Sequence, residues 1–324
     1  MLCKLRHTSV FQSSVYACML SSCFVMNLYL LIPKQVTSLP RSDERQIQWR
    51  IISVVVTSMV AIATFPYIFC ENAVAFEGIE VDTIKNILGW RSIDKATFVP
   101  LLHAAILYFG SFVTSIIRHR LNFIGKRYSK VHLPDKNFFA FMTRHIVQKN
   151  MQRFSNRWQA SRDYFFAPLA EEIIFRTCII PPFLFSGNMS TMGVCWITPL
   201  FFGLAHVHHA VTKLRNGAPI KTVLFSTLFQ LVYTTLFGAY ASYCYIKIGS
   251  LPAIVILHSF CNFMGLPDIS LLFGFVQGSG DAGSLQRSRI LSGIAYIAGI
   301  ASFWVCFGKS VGFFPYEELL LVTT

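Results

Sequence analysis

The stretch Tyr164-Phe-Phe-Ala-Pro-Leu-Ala-Glu171-Glu172-Ile-Ile-Phe-Arg176, continuing through Thr177-Cys-Ile-Ile-Pro181-Pro182-Phe-Leu-Phe185, sets two adjacent carboxylates and a guanidinium inside an otherwise apolar run. At bilayer depth each ionised group costs roughly 3 kcal/mol on insertion scales, so three within six residues call for a compensating role. In a helix Glu172 and Arg176 are four apart and share a face, where acid and base can neutralise each other. Glu171 points about 100° away from Glu172 at 3.6 residues per turn. It is left available for chemistry, or it is only a spare acid facing a water-filled cavity.

Composition identifies the solvent around that stretch. Of 324 residues, 54% are hydrophobic and 13% charged, with a mean hydropathy of +0.52. That is too apolar for a soluble domain of this length. About 20 apolar residues cross a bilayer core as a helix. Runs that meet or approach this length lie near 11–32, 51–70, 98–117, 164–187, 189–206, 222–245, 250–275 and 288–308. The expected fold is all-α: a polytopic integral membrane helical bundle with about eight spans and a cavity within the membrane. The two runs holding Pro181-Pro182 and Pro267 are candidates for a break or tilt. The first run reads as an uncleaved span, because its apolar stretch is long and no clear small-x-small cleavage site follows.

The whole chain, 1–324, reads as one polytopic domain: N-terminal spans in 1–117, a basic loop at 118–162, a helical core at 163–275 and a last span with its tail at 276–324. Eleven Lys and Arg lie between Arg118 and Arg162 against one acid, Asp135. The positive-inside rule places this loop in the cytosol. The preceding loop, with Glu71, Glu77, Glu80, Asp82 and Asp94, suits the lumenal side. Alternation then puts the Lys213/Arg215/Lys221 loop in the cytosol and both termini in the lumen, against the mild opposing pull of Lys4 and Arg6. The basic loop sets topology and attracts anionic lipid headgroups, or it also gathers a substrate with a lipidated, basic tail. Its stretch from Asn137 to Val147 has the character of a segment lying on the cytosolic surface. Nucleic acid is not an expected partner, since the basic stretch abuts the membrane and shows no recognised nucleic-acid fold signature.

Most of the nine cysteines fall in apolar runs and no C-x-x-C occurs, so they read as small buried hydrophobes rather than a disulfide framework. The one N-x-S/T sequon, Asn188-Met-Ser, falls in a short turn expected too close to the membrane for glycosylation.

Two further apolar segments carry polar groups. Phe202-Gly-Leu-Ala-His206 brings His206 to the cytosolic end of its span, followed by Val207-His208-His209. At helical spacing His206 and His209 share a face and His208 points elsewhere. Interfacial contact and metal binding are open alternatives to catalysis. In His258-Ser-Phe-Cys-Asn262, His258 and Asn262 share a face and can both donate toward one point; taken alone the pair is equally well helix–helix glue. Joint occurrence on three runs points instead to one water-accessible cavity opening to the cytosol. A glutamate that activates water, with donors that hold a tetrahedral oxyanion, is a minimal apparatus for amide hydrolysis.

Glu-Glu-x-x-x-Arg, then Phe-x-x-x-His, then His-x-x-x-Asn, each in an apolar run, resembles the Ras-converting CAAX endopeptidases, a family also called CAAX prenyl protease 2 within the CAAX protease and bacteriocin-processing superfamily. The segment from Phe202 to His209 looks like the eukaryotic members, and the resemblance is clearest from about 160 to 270. It implies an intramembrane protease of the endoplasmic reticulum that removes the C-terminal tripeptide from prenylated Cys-a-a-X proteins such as Ras-like small GTPases. Carried over, Glu171 is the general base, His206 holds or activates the water, and His258 with Asn262 forms the oxyanion hole. Glu172 and Arg176 are supporting residues, and no cofactor or metal is required.

Rival readings are a metal-dependent protease using Glu171, His206 and another histidine, a non-proteolytic scaffold or immunity-type relative, and a transporter. No His-Glu-x-x-His is present. Cys261 in its apolar span is a poor nucleophile.

Overall fold

The computed structural model describes residues 8–69, 89, 93–127, 157–187, 189–269, 271–273 and 282–310. Among these every regular element is helical and no strand occurs. The expected surface segment at 137–147, most of the basic loop, most of the acidic loop before it and the sequon residue Asn188 lie outside the described residues.

The described chain divides into two compact units. The first draws on residues within Met1–Thr97 and Asn156–Ser259, the second on residues within Phe98–Ser155 and Phe260–Phe313.

In the first unit, α1 (Val10–Leu30) opens with a capping box. The Ser9 hydroxyl accepts from the Gln12 N–H at 3.2 Å, and the Gln12 side chain accepts from the Ser9 N–H at 2.9 Å. These bonds satisfy donors that a helix start otherwise leaves open. After the short α2 (Lys34–Thr37), α3 (Glu44–Phe69) packs against α1.

The next helical run is assembled from pieces: α6 (Arg157–Ser161), a π turn (Arg162–Phe166), α7 (Ala167–Glu172), a second π turn (Ile173–Cys178) and α8 (Ile180–Leu184). Pro168 has no N–H to give to an i−4 carbonyl, and the preceding turn widens so that the Ala167 N–H donates to the Arg162 carbonyl. Pro181 and Pro182 sit within α8.

α9 (Thr191–Ala205) is capped by the Ser190 hydroxyl and packs along α11 (Ile220–Ile248), with α10 (His208–Arg215) between them in sequence. Along α11, Ile220, Leu224, Phe225, Leu228, Phe229, Val232 and Leu236 are exposed at helical spacing, whereas Thr234, Gly238, Ala239, Ala241 and Ser242 are buried. This inverts the soluble pattern. A face of large apolar groups suits lipid, and small residues let helix backbones approach. A Cβ on Gly238 would come within 2.7 Å of the rigid ring of Pro199, so this glycine is needed for the α9–α11 contact; one on Gly203 would displace the end of the Leu231 side chain. α11 ends at Gly249, whose φ of 64° is left-handed, and α12 (Leu251–Met264) follows with the Ser250 hydroxyl accepting from the Ala253 N–H.

In the second unit, α4 (Val99–Leu107) and α5 (Phe109–Arg127) meet at a 47° bend and pack on α13 (Ala282–Ser310). Hydroxyls join them: Ser111 with Tyr296 at 3.1 Å, and Thr114 with Ser292. Arg118 reaches Asp268 at 2.7 Å.

Five helical stretches among the described residues are long and apolar enough to cross a membrane, six if the bent α4–α5 pair counts as one span. The chain is thus a multi-pass membrane protein; among the described residues, fewer helices reach full spanning length than the eight apolar runs. Of the two remaining runs, 164–187 is helical in interrupted pieces and 250–275 holds only the short α12, which ends before Pro267; they are the two that carry Pro181-Pro182 and Pro267.

Candidate active site

Glu171 and Glu172 end α7, at the edge of the second π turn, a kind of helix irregularity frequent at functional sites. Their environments diverge as the helix geometry dictates. The Glu172 side chain is 0% exposed and the Arg176 side chain 1%, with Glu172 Oε2 and Arg176 Nε 3.1 Å apart. Glu171 keeps 20% exposure.

Arg176 is held further by the face of Phe202, its guanidinium carbon 4.9 Å from the ring centre. Its two terminal nitrogens have no hydrogen-bond partner among the described residues. Pairing with Glu172 and contact with the ring therefore carry the cost of burying this charge.

His258, on α12, stands between the two acids. Its Nδ1 lies 2.6 Å from Glu172 Oε1, and its Nε2 lies 3.6 Å from Glu171 Oε2. A carboxylate only accepts, so Nδ1–H is the donor to Glu172. Phe237, with its ring centre 5.0 Å away, and Phe202 at 6.1 Å wall the imidazole. The four groups form a chain, Glu171–His258–Glu172–Arg176, in which Glu172 answers both a guanidinium and an imidazole. Spacing alone indicated the Glu172–Arg176 pair; the bond from His258 to Glu172 bridges 86 residues and has no local signature.

His206 caps the end of α9, where the helix closes with tight turns: the His206 N–H donates to the Gly203 carbonyl and the Val207 N–H to the Leu204 carbonyl. Its Nδ1 is 2.8 Å from the Phe202 carbonyl. A carbonyl cannot donate, so Nδ1 carries the proton and Nε2 of the neutral ring is left as an acceptor.

The histidine facing expected from an unbroken helix needs correction. Because α9 stops at Ala205 and α10 begins at His208, all three of His206, His208 and His209 line one cavity. The His208 Nδ1–H donates to the Ala205 carbonyl at 2.6 Å, and the His208 and His209 rings are 4.0 Å apart.

That cavity, of about 590 Å³, is also lined by Glu171, Phe175, Arg41, Arg50 and Arg162. His258 is not among its lining residues and stands behind Glu171. Asn262 follows one turn on along α12, in the second unit. Among the described residues no group of three or more His, Cys, Asp or Glu side chains is arranged to hold a metal ion. The three arginines were not expected in the site from the sequence; the available signal was the position of Arg50 and Arg162 beside the ends of apolar runs.

Residues 144–264 match the family described as Type II CAAX prenyl endopeptidase Rce1-like. The human CAAX prenyl protease 2 is 29% identical over 282 residues, 82% of this chain and 78% of that protein. The Saccharomyces cerevisiae CAAX prenyl protease 2 is 36% identical over 132 residues, 39% of this chain and 42% of that one. The Arabidopsis thaliana CAAX prenyl protease 2 is 27% identical over 257 residues, 76% and 79% of the two chains. No solved structure matches. The matched region holds Glu171, Glu172, Arg176, His206, His258 and Asn262 together, and the chain is similar over most of its length to CAAX prenyl protease 2 proteins, with the Rce1-like match at its centre.

Proposed function

We propose that this protein is an endopeptidase of the endoplasmic reticulum membrane that cuts prenylated Cys-a-a-X proteins after the lipidated cysteine and releases the last three residues. The observation that carries the proposal is the cluster in which Glu171, facing a cavity that also holds three histidines and three arginines, is backed by His258, Glu172 and Arg176. Similarity to CAAX prenyl protease 2 proteins across most of the chain supplies the substrate class.

In the proposed reaction Glu171 takes a proton from a water, and the resulting hydroxide attacks the scissile carbonyl. His206 Nε2, free to accept, holds the same water. The oxyanion that forms is met by donors from His258 and Asn262. Collapse breaks the C–N bond, and the proton held by Glu171 passes to the leaving amine. Since Nδ1–H of His258 is committed to Glu172, Nε2 can donate to an oxyanion only from the imidazolium. Glu172 then carries the countercharge, and Arg176 balances Glu172. Glu172 and Arg176 thus act through His258 and do not touch the substrate.

The cytosolic approach is supported by charge: Arg162 and the His208/His209 pair, which line the cavity, belong to or adjoin loops assigned to the cytosol by their basic residues. The test is to supply purified protein in lipid with a farnesylated peptide and weigh the products. Release of the intact C-terminal tripeptide is expected. No cleavage, or cleavage at another bond, contradicts the proposal.

A further inference from the structure

Three guanidinium groups, those of Arg41, Arg50 and Arg162, line the same cavity as Glu171 and His206, and the first two lie more than a hundred residues from both in the chain. Arg50 is the most telling. Its Nε is buried without a hydrogen-bond partner, and no carboxylate pairs with it among the described residues. Its charged neighbours include Arg41 and Arg162, both of its own sign. Arg41 is steadied by donating to the Thr212 hydroxyl on α10 at 3.0 Å, and Arg162 donates to Asp163 at 2.6 Å. Two guanidinium groups are thus held in place around a third that lacks an acid. Asp163 and Glu171 line the cavity as well, so three guanidinium groups face two carboxylates; the excess positive charge, centred on Arg50, favours an anion, and the planar guanidinium fork fits a carboxylate.

We propose that this cluster, with Arg50 at its centre, is the subsite for the free α-carboxylate at the substrate's C-terminus. The inference rests on the endopeptidase reading above and deepens it. Three extended residues span roughly 10 Å, so an anchored carboxylate fixes which amide reaches Glu171. Phe24, Val25, Leu28 and Val54 line the cavity too and offer apolar contact to the two aliphatic residues between. Val54 is one helical turn from Arg50 on α3. A cavity of about 590 Å³ lies within the usual range for bound ligands. The arginines make the enzyme measure from the chain end, and the cut falls three residues inside it.

The experiment uses prenylated peptides identical except for a terminal carboxylate or carboxamide, with the full-length protein in neutral phosphatidylcholine vesicles. Cleavage is measured on the wild type, and binding of the same peptides on Glu171→Gln. The carboxylate is expected to be preferred roughly ten- to hundredfold, chiefly through KM, the scale of a charge-assisted hydrogen bond. Arg50→Gln should lower the carboxylate peptide to the level of the amide and leave the amide itself unchanged. Arg50→Lys should retain part of the preference. Arg41→Gln, in an exposed turn, gives a smaller loss and serves should Arg50→Gln not fold.

Equal use of both peptides by the wild type overturns the proposal, as does an equal loss on both in Arg50→Gln. A deficit in Arg50→Gln that appears only when anionic lipid is added, and on both peptides alike, assigns the cluster to a lipid headgroup and overturns it too. If nothing is cut, yet binding favours the carboxylate in an Arg50-dependent way, the carboxylate subsite stands and the endopeptidase reading falls. Cleavage without discrimination does the reverse.

Discussion

The two units of this protein hold their helices together with different polar chemistry. In the second unit, α4, α5 and α13 are joined by neutral hydroxyls, Ser111 to Tyr296 and Thr114 to Ser292, and by close approach at Gly110, where a Cβ would collide with Tyr296, while the ion pair Arg118–Asp268 keeps both side chains partly exposed. In the first, the core contains Glu172, Arg176 and His258 at almost no exposure, with Glu171 at the edge of a cavity. Hydroxyl pairs hold helices together at little desolvation cost. A buried carboxylate–guanidinium–imidazole chain is an expensive way to do so, because apolar residues of similar volume often pack at least as stably. The difference separates a scaffold from a site.

The largest effect expected from that contrast is on Glu171. Glu171→Ala should lower the rate roughly a hundred- to ten-thousandfold, the range for loss of a general base, while thermal unfolding is unchanged. A protein that melts early on this substitution would make Glu171 part of the scaffold.

Asn262 sharpens the comparison from the other side, because it lies on α12 beyond the point where the second unit begins. Asn262→Ala should cost about a hundred- to a thousandfold in kcat with little change in KM. A wild-type kcat would remove Asn262 from the mechanism.

Glu172→Ala is expected to combine both behaviours. It leaves Arg176 buried without its acid, a lesion of about 3–5 kcal/mol. It also frees the His258 Nδ1–H that Glu172 accepts. Reduced thermal stability together with lost activity is the outcome to look for by calorimetry and peptide assay. A stable but inactive Glu172→Ala beside an active Glu171→Ala would mean that the two acids have exchanged roles.

The smallest effect belongs to the second unit. Ser111→Ala removes one hydroxyl contact, and interhelical hydrogen bonds of this kind average about 0.6 kcal/mol. A shift of that size in unfolding free energy with an unaltered rate is expected. A large rate loss would mean that the scaffold is coupled to the chemistry.

How much of this was legible in the sequence depends on the range of each interaction. The Glu172–Arg176 pair was readable because it spans one helical turn, and the apolar runs because lipid demands their length. That the runs holding Pro181-Pro182 and Pro267 depart from one long helix was readable from those prolines, whereas the π turn before Pro168 was not. The facing of His208 was not, because it depends on where α9 stops, and the tight turn at His206–Val207 has no local signature. Nor could spacing show that His258 bonds to Glu172, or that Arg41, Arg50 and Arg162 share a cavity with Glu171. Those contacts exist only once distant helices pack.

The most direct test of the central claim, that Glu171 activates water without a metal, is single-turnover cleavage of a farnesylated peptide by protein stripped with chelator and checked for residual metal. The account predicts that stripped wild type cleaves at its original rate and stripped Glu171→Ala does not. Loss of cleavage on stripping, with recovery when stoichiometric zinc is returned, would contradict it.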